Sequence, residues 1–174
     1  LEEYRVKNSM NKVQLKVEST GNPAIGVFYL VASEEGLHGL FWKPQAVPLI
    51  RDREAAAHLI LKKTLIQLEE YFEGKRKTFD LPLRPEGTEF QKRVWRELSK
   101  IPYGETRSYR QIARALNDPN ASRAVGTANG RNPISIIVPC HRVITSDGRL
   151  GGYAGGLAVK ECLLGLEGVH SLER

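Results

Sequence analysis

Apolar and polar residues alternate through residues 13–18, the period-two pattern of a half-buried strand. Residues 25–31 and 37–42 are strand-like apolar runs, and Gly21, Asn22 and Gly36 mark turns between them; three antiparallel strands are predicted. From Ile50 to Phe72 the period changes. Ala55, Ala56, Leu59, Ile60, Leu65 and Leu68 fall near helical spacing among charged residues, which predicts one long amphipathic helix, broken at most once. The basic run Lys75, Arg76, Lys77 and then Pro82, Pro85 and Gly87 interrupt periodicity, so a boundary is placed near residue 85. The expected fold class is α+β: a small N-terminal α/β domain with its connector (1–85), then a helical domain (86–174).

The second part opens on a capping-box pattern, Thr88 with Gln91 three residues on, followed by Phe90, Val94, Trp95 and Leu98 along one helical face. Pro102 and Gly104 end that helix. Ser108 can cap a second helix carrying Ile112, Ala113 and Leu116; after a turn at 117–120, a third helix of small residues covers 121–128. The result is a helix-turn-helix. Residues 135–138 are β-branched and apolar and read as a short buried extended segment that Pro139 stops before Cys140. A glycine-rich loop (Gly148, Gly151, Gly152, Gly155, Gly156) leads to a last helix over 157–166, closed by Gly168.

The chain has 174 residues, 41% hydrophobic and 26% charged, enough for one or two small cores and too apolar for disorder. No run reaches a membrane span, and residues 1–12 are charged and lack a secretory apolar stretch. Two cysteines, Cys140 and Cys162, exclude a disulfide framework and suggest a reducing compartment; a cytoplasmic location is expected. The net charge of +6 is lopsided, about +1 over residues 1–87 and +5 over 88–174, where the excess is mostly arginine. Arginine suits planar and phosphate partners. The third helix shows Ala, Ser, Gly and Thr in place of long base-reading side chains, with Arg123 its one long projection. That face fits close, sequence-independent docking on DNA better than major-groove reading.

The run Pro139, Cys140, His141, Arg142 carries the chemistry. A thiol beside an imidazole and a glycine-rich loop is shaped, polarised and approachable. Neighbouring side chains of an extended chain point apart, so His141 needs a turn or a bridging water to take the thiol proton. Glu167 is the best carboxylate to orient the imidazole, provided the last helix packs back on the site. Cys162, on that helix, reads as a packed thiol.

From Thr88 to Gly168 the sequence resembles the O6-alkylguanine-DNA alkyltransferases. The resemblance is carried by Ile137 to Ile144 (IVPCHRVI), Arg123-Ala124-Val125-Gly126, Asn132-Pro133, Tyr153 with Gly155-Gly156, and Leu163-Leu164 before Glu167-Gly168. Tyr71-Phe72-Glu73-Gly74 with Phe79 and Leu81 looks like the family's approach to its second domain. The resemblance implies repair by irreversible, single-turnover transfer of an alkyl group from O6-alkylguanine, with O4-alkylthymine a further substrate, to Cys140. It implies His141 as the base acting through a water, Glu167 orienting it, Asn132 bracing the thiol-bearing turn, and Tyr109 hydrogen-bonding the departing guanine. Arg123 would fill the gap left by the extruded nucleotide, with Ser122, Ala124, Gly126, Thr127 and Arg110 on the DNA face. Tyr109, Asn129, Val143, Tyr153 and Ala154 would line the base pocket. The expected partner is double-stranded DNA bearing the lesion, bound by a monomer. No cofactor is expected, and no metal, since residues 1–87 contain no cysteine.

Three other readings compete. Related lesion-binding proteins without catalysis carry tryptophan at the acceptor position, against which Cys140 stands. A cysteine hydrolase needs an oxyanion hole and turns over. A sequence-specific regulator is disfavoured by the small-residue face.

Overall fold

The computed structural model describes residues 12–19, 23–50, 56–170 and 172. The turn expected at Gly21 and Asn22 and the helix start expected at 51–55 lie outside them. The alternating segment forms β1 (Val13–Glu18), which pairs antiparallel with β2 (Val27–Ser33), and β2 pairs antiparallel with β3 (Gly36–Phe41). A bulge between Val31 and Ala32 bends the second pairing. The helix α1 (Ala56–Phe72) crosses this sheet on Ala57, Leu61, Thr64, Leu68 and Tyr71, the i, i+4, i+7 row of one face. That row corrects the expected one: Ala56 and Leu59 face outward, and Ala55 is outside the described residues.

The second part follows local signals closely. Thr88 and Ser108 cap α2 (Glu89–Leu98) and α3 (Tyr109–Ala115) with reciprocal capping boxes to Gln91 and Gln111. After a short turn comes α4 (Ser122–Gly130), tied to α2 by the Trp95 indole N–H donating to Ala128 O at 2.9 Å. The chain closes with α5 (Leu157–Leu166). An unexpected two-residue pairing, β4 (Arg107–Ser108) parallel to β5 (Val143–Ile144), links the approach to α3 with the segment after the thiol. So short a pairing leaves no periodic trace in sequence.

One apolar cluster runs through both parts, from Phe28, Leu30 and Leu40 on the sheet through Leu68 and Trp95 to Val138 and Leu163. The free edge of β3 is occupied from both sides of the connector. Leu37 N–H donates to Pro82 O at 2.8 Å, and Leu40 N–H donates to Pro133 O at 2.9 Å. The sheet is therefore the platform on which the cysteine-bearing turn stands.

Candidate active site

Residues 135–138 are not extended. Ile134 bridges to Leu40, then the chain doubles back: Ile137 N–H donates to Ser135 O at 2.8 Å around Ile136, whose φ is +71°. Val138 N–H reaches Ile134 O at 3.0 Å, and a second tight turn at Pro139 leads into a 3-10 turn, Cys140–Arg142. A β-branched residue at positive φ costs on the order of 1–3 kcal/mol. The fully buried Ile136 side chain and Asn132 offset it. Asn132 Nδ2 donates to Val138 O at 2.8 Å while its Oδ1 accepts from Ile134 N–H at 3.0 Å, clamping both ends of the turn. The β-branched run that suggested a strand is packed in the core as a coil.

The turn puts Cys140 inside the protein. The thiol was expected to be approachable; Cys140 is only 3% exposed. Burial pushes its pKa above the ordinary range, against hydrogen bonding from Asn132, the charge of Lys160 and hydrogen bonding from Ser135, all of which favour thiolate. The resting sulfur is a protonated thiol. Asn129, expected to line a pocket, is buried, with Nδ2 3.4 Å from the Cys140 carbonyl oxygen.

Behind the thiol, α5 does pack back on the site. Glu167, at its C-terminal end, accepts from His141 Nε2 at 2.8 Å, Tyr71 Oη at 2.6 Å, Arg142 Nε and Nη2 at 2.9 and 3.0 Å, and Gly104 N–H at 3.1 Å. Burial alone would raise this carboxyl; the donors, His141 and Arg142 foremost, instead hold it down at about 2. An ionised carboxylate only accepts, so His141 Nε2 carries the hydrogen and Nδ1 the lone pair. Burial also lowers His141, against the pull of Glu167, which keeps the ring neutral and able to take a proton. Its Nδ1 has no hydrogen-bond partner among the described residues.

Tyr71 and Arg142, which the sequence reading named without a role at the site, are members of this cluster. Tyr71 lies 96 residues from its partner, and no local signal marks it. Lys160 was missed. It is buried, donates to Val143 O at 2.7 Å and to Leu150 O, and burial pulls it down to about 8. Its signal was a lysine on the apolar face of α5 beside Val159, Leu163 and Leu164. By joining the strand after the thiol to the start of the glycine-rich loop, it fixes one wall against the other.

Tyr109, Tyr153 and Ser135 lie close enough to the Cys140 thiol to interact with it electrostatically. Burial and the neighbouring Cys140 raise both tyrosines, so their hydroxyls stay protonated and can donate. Gly151 (φ +66°) brings the loop against Tyr109: a Cβ there would lie 3.1 Å from Tyr109 Oη, in a backbone region side chains avoid. Val143 is fully buried on β5, while Ala154 is exposed on the loop.

Outside this centre, a cleft of about 570 Å³ is lined by Tyr109, Arg110, Ser122, Arg123, Gly126 and Thr127, together with Thr145 and Ser146. Arg110, Arg123, Ala124 and Thr127 are exposed. The helix-turn-helix thus presents its small, basic face on the side where Tyr109 reaches toward the thiol.

The carboxylate makes a prediction about acid stability. Its folded pKa lies below the unfolded value, so its contribution is fully present above about pH 4.5 and is lost as pH falls through that value toward 2. A shift of this size corresponds to about 3 kcal/mol. Urea unfolding between pH 5 and 2 should show that loss, and Glu167→Gln should flatten it; equal slopes would contradict the assignment.

Fold and site together define a helix-turn-helix protein built around a buried cysteine with a histidine–carboxylate pair. Residues 17–85 match the family described as 6-O-methylguanine DNA methyltransferase, ribonuclease-like domain, and residues 89–169 match its DNA binding domain. The chain is 53% identical to a methylated-DNA–protein-cysteine methyltransferase of Methanosarcina acetivorans over 145 residues, 83% of this chain and 93% of that protein. Among solved structures it is similar to the O6-methylguanine methyltransferase of Mycobacterium tuberculosis, with TM-score 0.76 and 41% identity over 90% of this chain and 92% of that one. It is also similar to OGT of that organism in complex with DNA, with TM-score 0.76 and 42% identity over 88% and 91%. The chain belongs to the methylated-DNA–protein-cysteine methyltransferase family.

Proposed function

We propose that Cys140 is the alkyl acceptor in this chain, with O6-alkylguanine in duplex DNA as its substrate. The protein is a DNA-binding methyltransferase that repairs DNA by alkyl transfer. The observation that carries the residue assignment is the Cys140 thiol on a clamped turn, next in sequence to a neutral imidazole held by an ionised, fully hydrogen-bonded Glu167. In the transfer, His141 Nδ1 takes the thiol proton through a water. The sulfur forms a bond to the alkyl carbon as the carbon–O6 bond breaks, and the electron pair leaves on guanine, to which Tyr109 donates a hydrogen bond. Asn132 keeps the sulfur in line. The product thioether has no activated carbonyl for water to attack, so each molecule acts once.

The part before residue 85 supplies the platform under the thiol turn, and the part after it docks on DNA. No helix among the described residues is long and apolar enough to cross a membrane, which suits a cytoplasmic repair protein. The protein acts as a monomer, because the cysteine, histidine, carboxylate and DNA face all come from one chain. The test is incubation with duplex DNA carrying labelled O6-methylguanine, followed by peptide mapping. The expected result is close to one label per protein, on Cys140; many turnovers, or an unlabelled protein, would refute the assignment.

Arg123, exposed on the helix-turn-helix face, fills the gap when the damaged nucleotide swings out. Extrusion costs a few kcal/mol, and losing the stand-in should cost about 1.4 kcal/mol or more, tenfold in rate. Arg123→Ala is expected to slow repair of duplex DNA about tenfold while leaving reaction with the free alkylated base within about twofold. Equal losses on both substrates would remove the extrusion role.

A further inference from the structure

We propose that Trp42, just beyond β3, is a specificity-determining residue for this transfer: it forms part of the wall of the space that receives the O6 substituent, an inference that rests on Cys140 as the acceptor. In an in-line displacement the three remaining bonds of the reacting carbon lie across the sulfur–carbon–oxygen axis. For methyl these are hydrogens. Any longer alkyl group sends its chain sideways, away from both sulfur and guanine, and needs a lateral space.

Among the described residues, a lateral space lies beside the thiol-bearing turn. A cleft of about 300 Å³ between the end of β3 and the thiol-bearing turn is lined by Phe41, Trp42, Asn132, Pro133, Ser135 and Ala154, among others. Asn132 and Ser135 also favour the Cys140 thiolate, and Asn132 clamps the turn that carries it, so the cleft adjoins the thiol-bearing turn. Trp42 forms part of its wall. Its ring meets Tyr153 edge-on, centroids 6.0 Å apart at 62°, and Phe28 at 6.4 Å and 67°. Gly155 lies flat on the indole, where an added Cβ would stand 2.6 Å from Trp42 Cε2. The indole N–H has no acceptor among the described residues, so ring contact alone holds it. Because Leu40, two residues earlier, pairs with Pro133 and Ile134, one strand sets both the thiol turn and this wall.

The N-terminal sheet thereby limits the length of alkyl group the site accepts. The test compares transfer from duplexes carrying O6-methylguanine and O6-propylguanine by the unaltered protein, Trp42→Leu and Trp42→Phe. An apolar pocket discriminates about tenfold or more per methylene. Trp42→Leu should therefore raise the propyl-to-methyl rate ratio about tenfold, and Trp42→Phe, with its smaller ring, about threefold. An unchanged ratio, including one left unchanged by parallel loss of both rates, overturns the assignment. Should the leucine variant fail to fold, the phenylalanine variant decides. In the unaltered protein labelled with fluorotryptophan, the Trp42 fluorine resonance should shift on propyl transfer and stay within linewidth on methyl transfer; no shift with either overturns the proposal. Absence of methyl transfer by the unaltered protein would instead sink Cys140 as acceptor, so the two failures are distinct.

Discussion

Cys140→Ala is expected to abolish alkyl transfer and leave DNA binding intact. The replacement removes one buried sulfur, a change of about 1 kcal/mol by area. It touches neither Arg123 nor the helix-turn-helix face, which line a separate cleft. A gel-shift titration should match the unaltered protein while labelled O6-methylguanine DNA transfers nothing. Label appearing on Cys162, the half-buried second cysteine, would refute the assignment. The size of the effect follows from where the rate comes from. Burial makes the resting thiol a weaker acid than a free one, so a standing thiolate is not the source. Even a thiol lowered to pKa about 6 would gain only about threefold, because the roughly 30-fold rise in thiolate is offset roughly tenfold by the nucleophilicity that falls with basicity. Alignment of sulfur, carbon and leaving oxygen, with effective molarities of about 10⁵ M or more, and proton transfer worth about 10²-fold, carry the rest. Both act through the sulfur. Without it nothing remains to be aligned.

Glu167→Ala should be the most destabilising single change at the site. The side chain receives hydrogen bonds from Tyr71, His141, Arg142 and the Gly104 backbone, and its removal leaves the Arg142 guanidinium buried beside Ile101 O and the Tyr103 ring with no countercharge among the described residues. Breaking one partner out of a buried pair costs about 3–5 kcal/mol. Urea unfolding at pH 7 should register a loss of that order, and transfer by the folded fraction should fall about 10²-fold as His141 loses its orientation. A stability change under about 1 kcal/mol would show that the cluster is not a unit. Glu167→Gln, which keeps an acceptor without the charge, should fall between.

Tyr71 ties these results to the rest of the molecule. Its hydroxyl enters the cluster from α1, across 96 residues of sequence. The N-terminal sheet and helix are consequently part of the chemistry's support: the sheet edge holds the turn at Pro133, and the helix supplies a donor to the carboxylate.

The elements most legible in the sequence are those set by contacts three or four residues apart. Thr88 with Gln91 and Ser108 with Gln111 mark helix starts because each pair closes its own hydrogen bonds. Alternation through 13–18 marks a strand because the side-chain period of a strand is two. Cys140, His141 and Glu167 could be singled out by residue type and by family resemblance. The turn at Ile136 could not. Its β-branched run favours a strand locally, and only Leu40 on one side and Asn132 on the other hold it coiled with positive φ. The burial of the thiol, the Tyr71 hydrogen bond, the Lys160 tether and the Trp42 wall are likewise products of assembly. Each depends on residues distant in the chain meeting in a low-dielectric interior, and a linear sequence carries no local record of which distant partner a buried polar group will find.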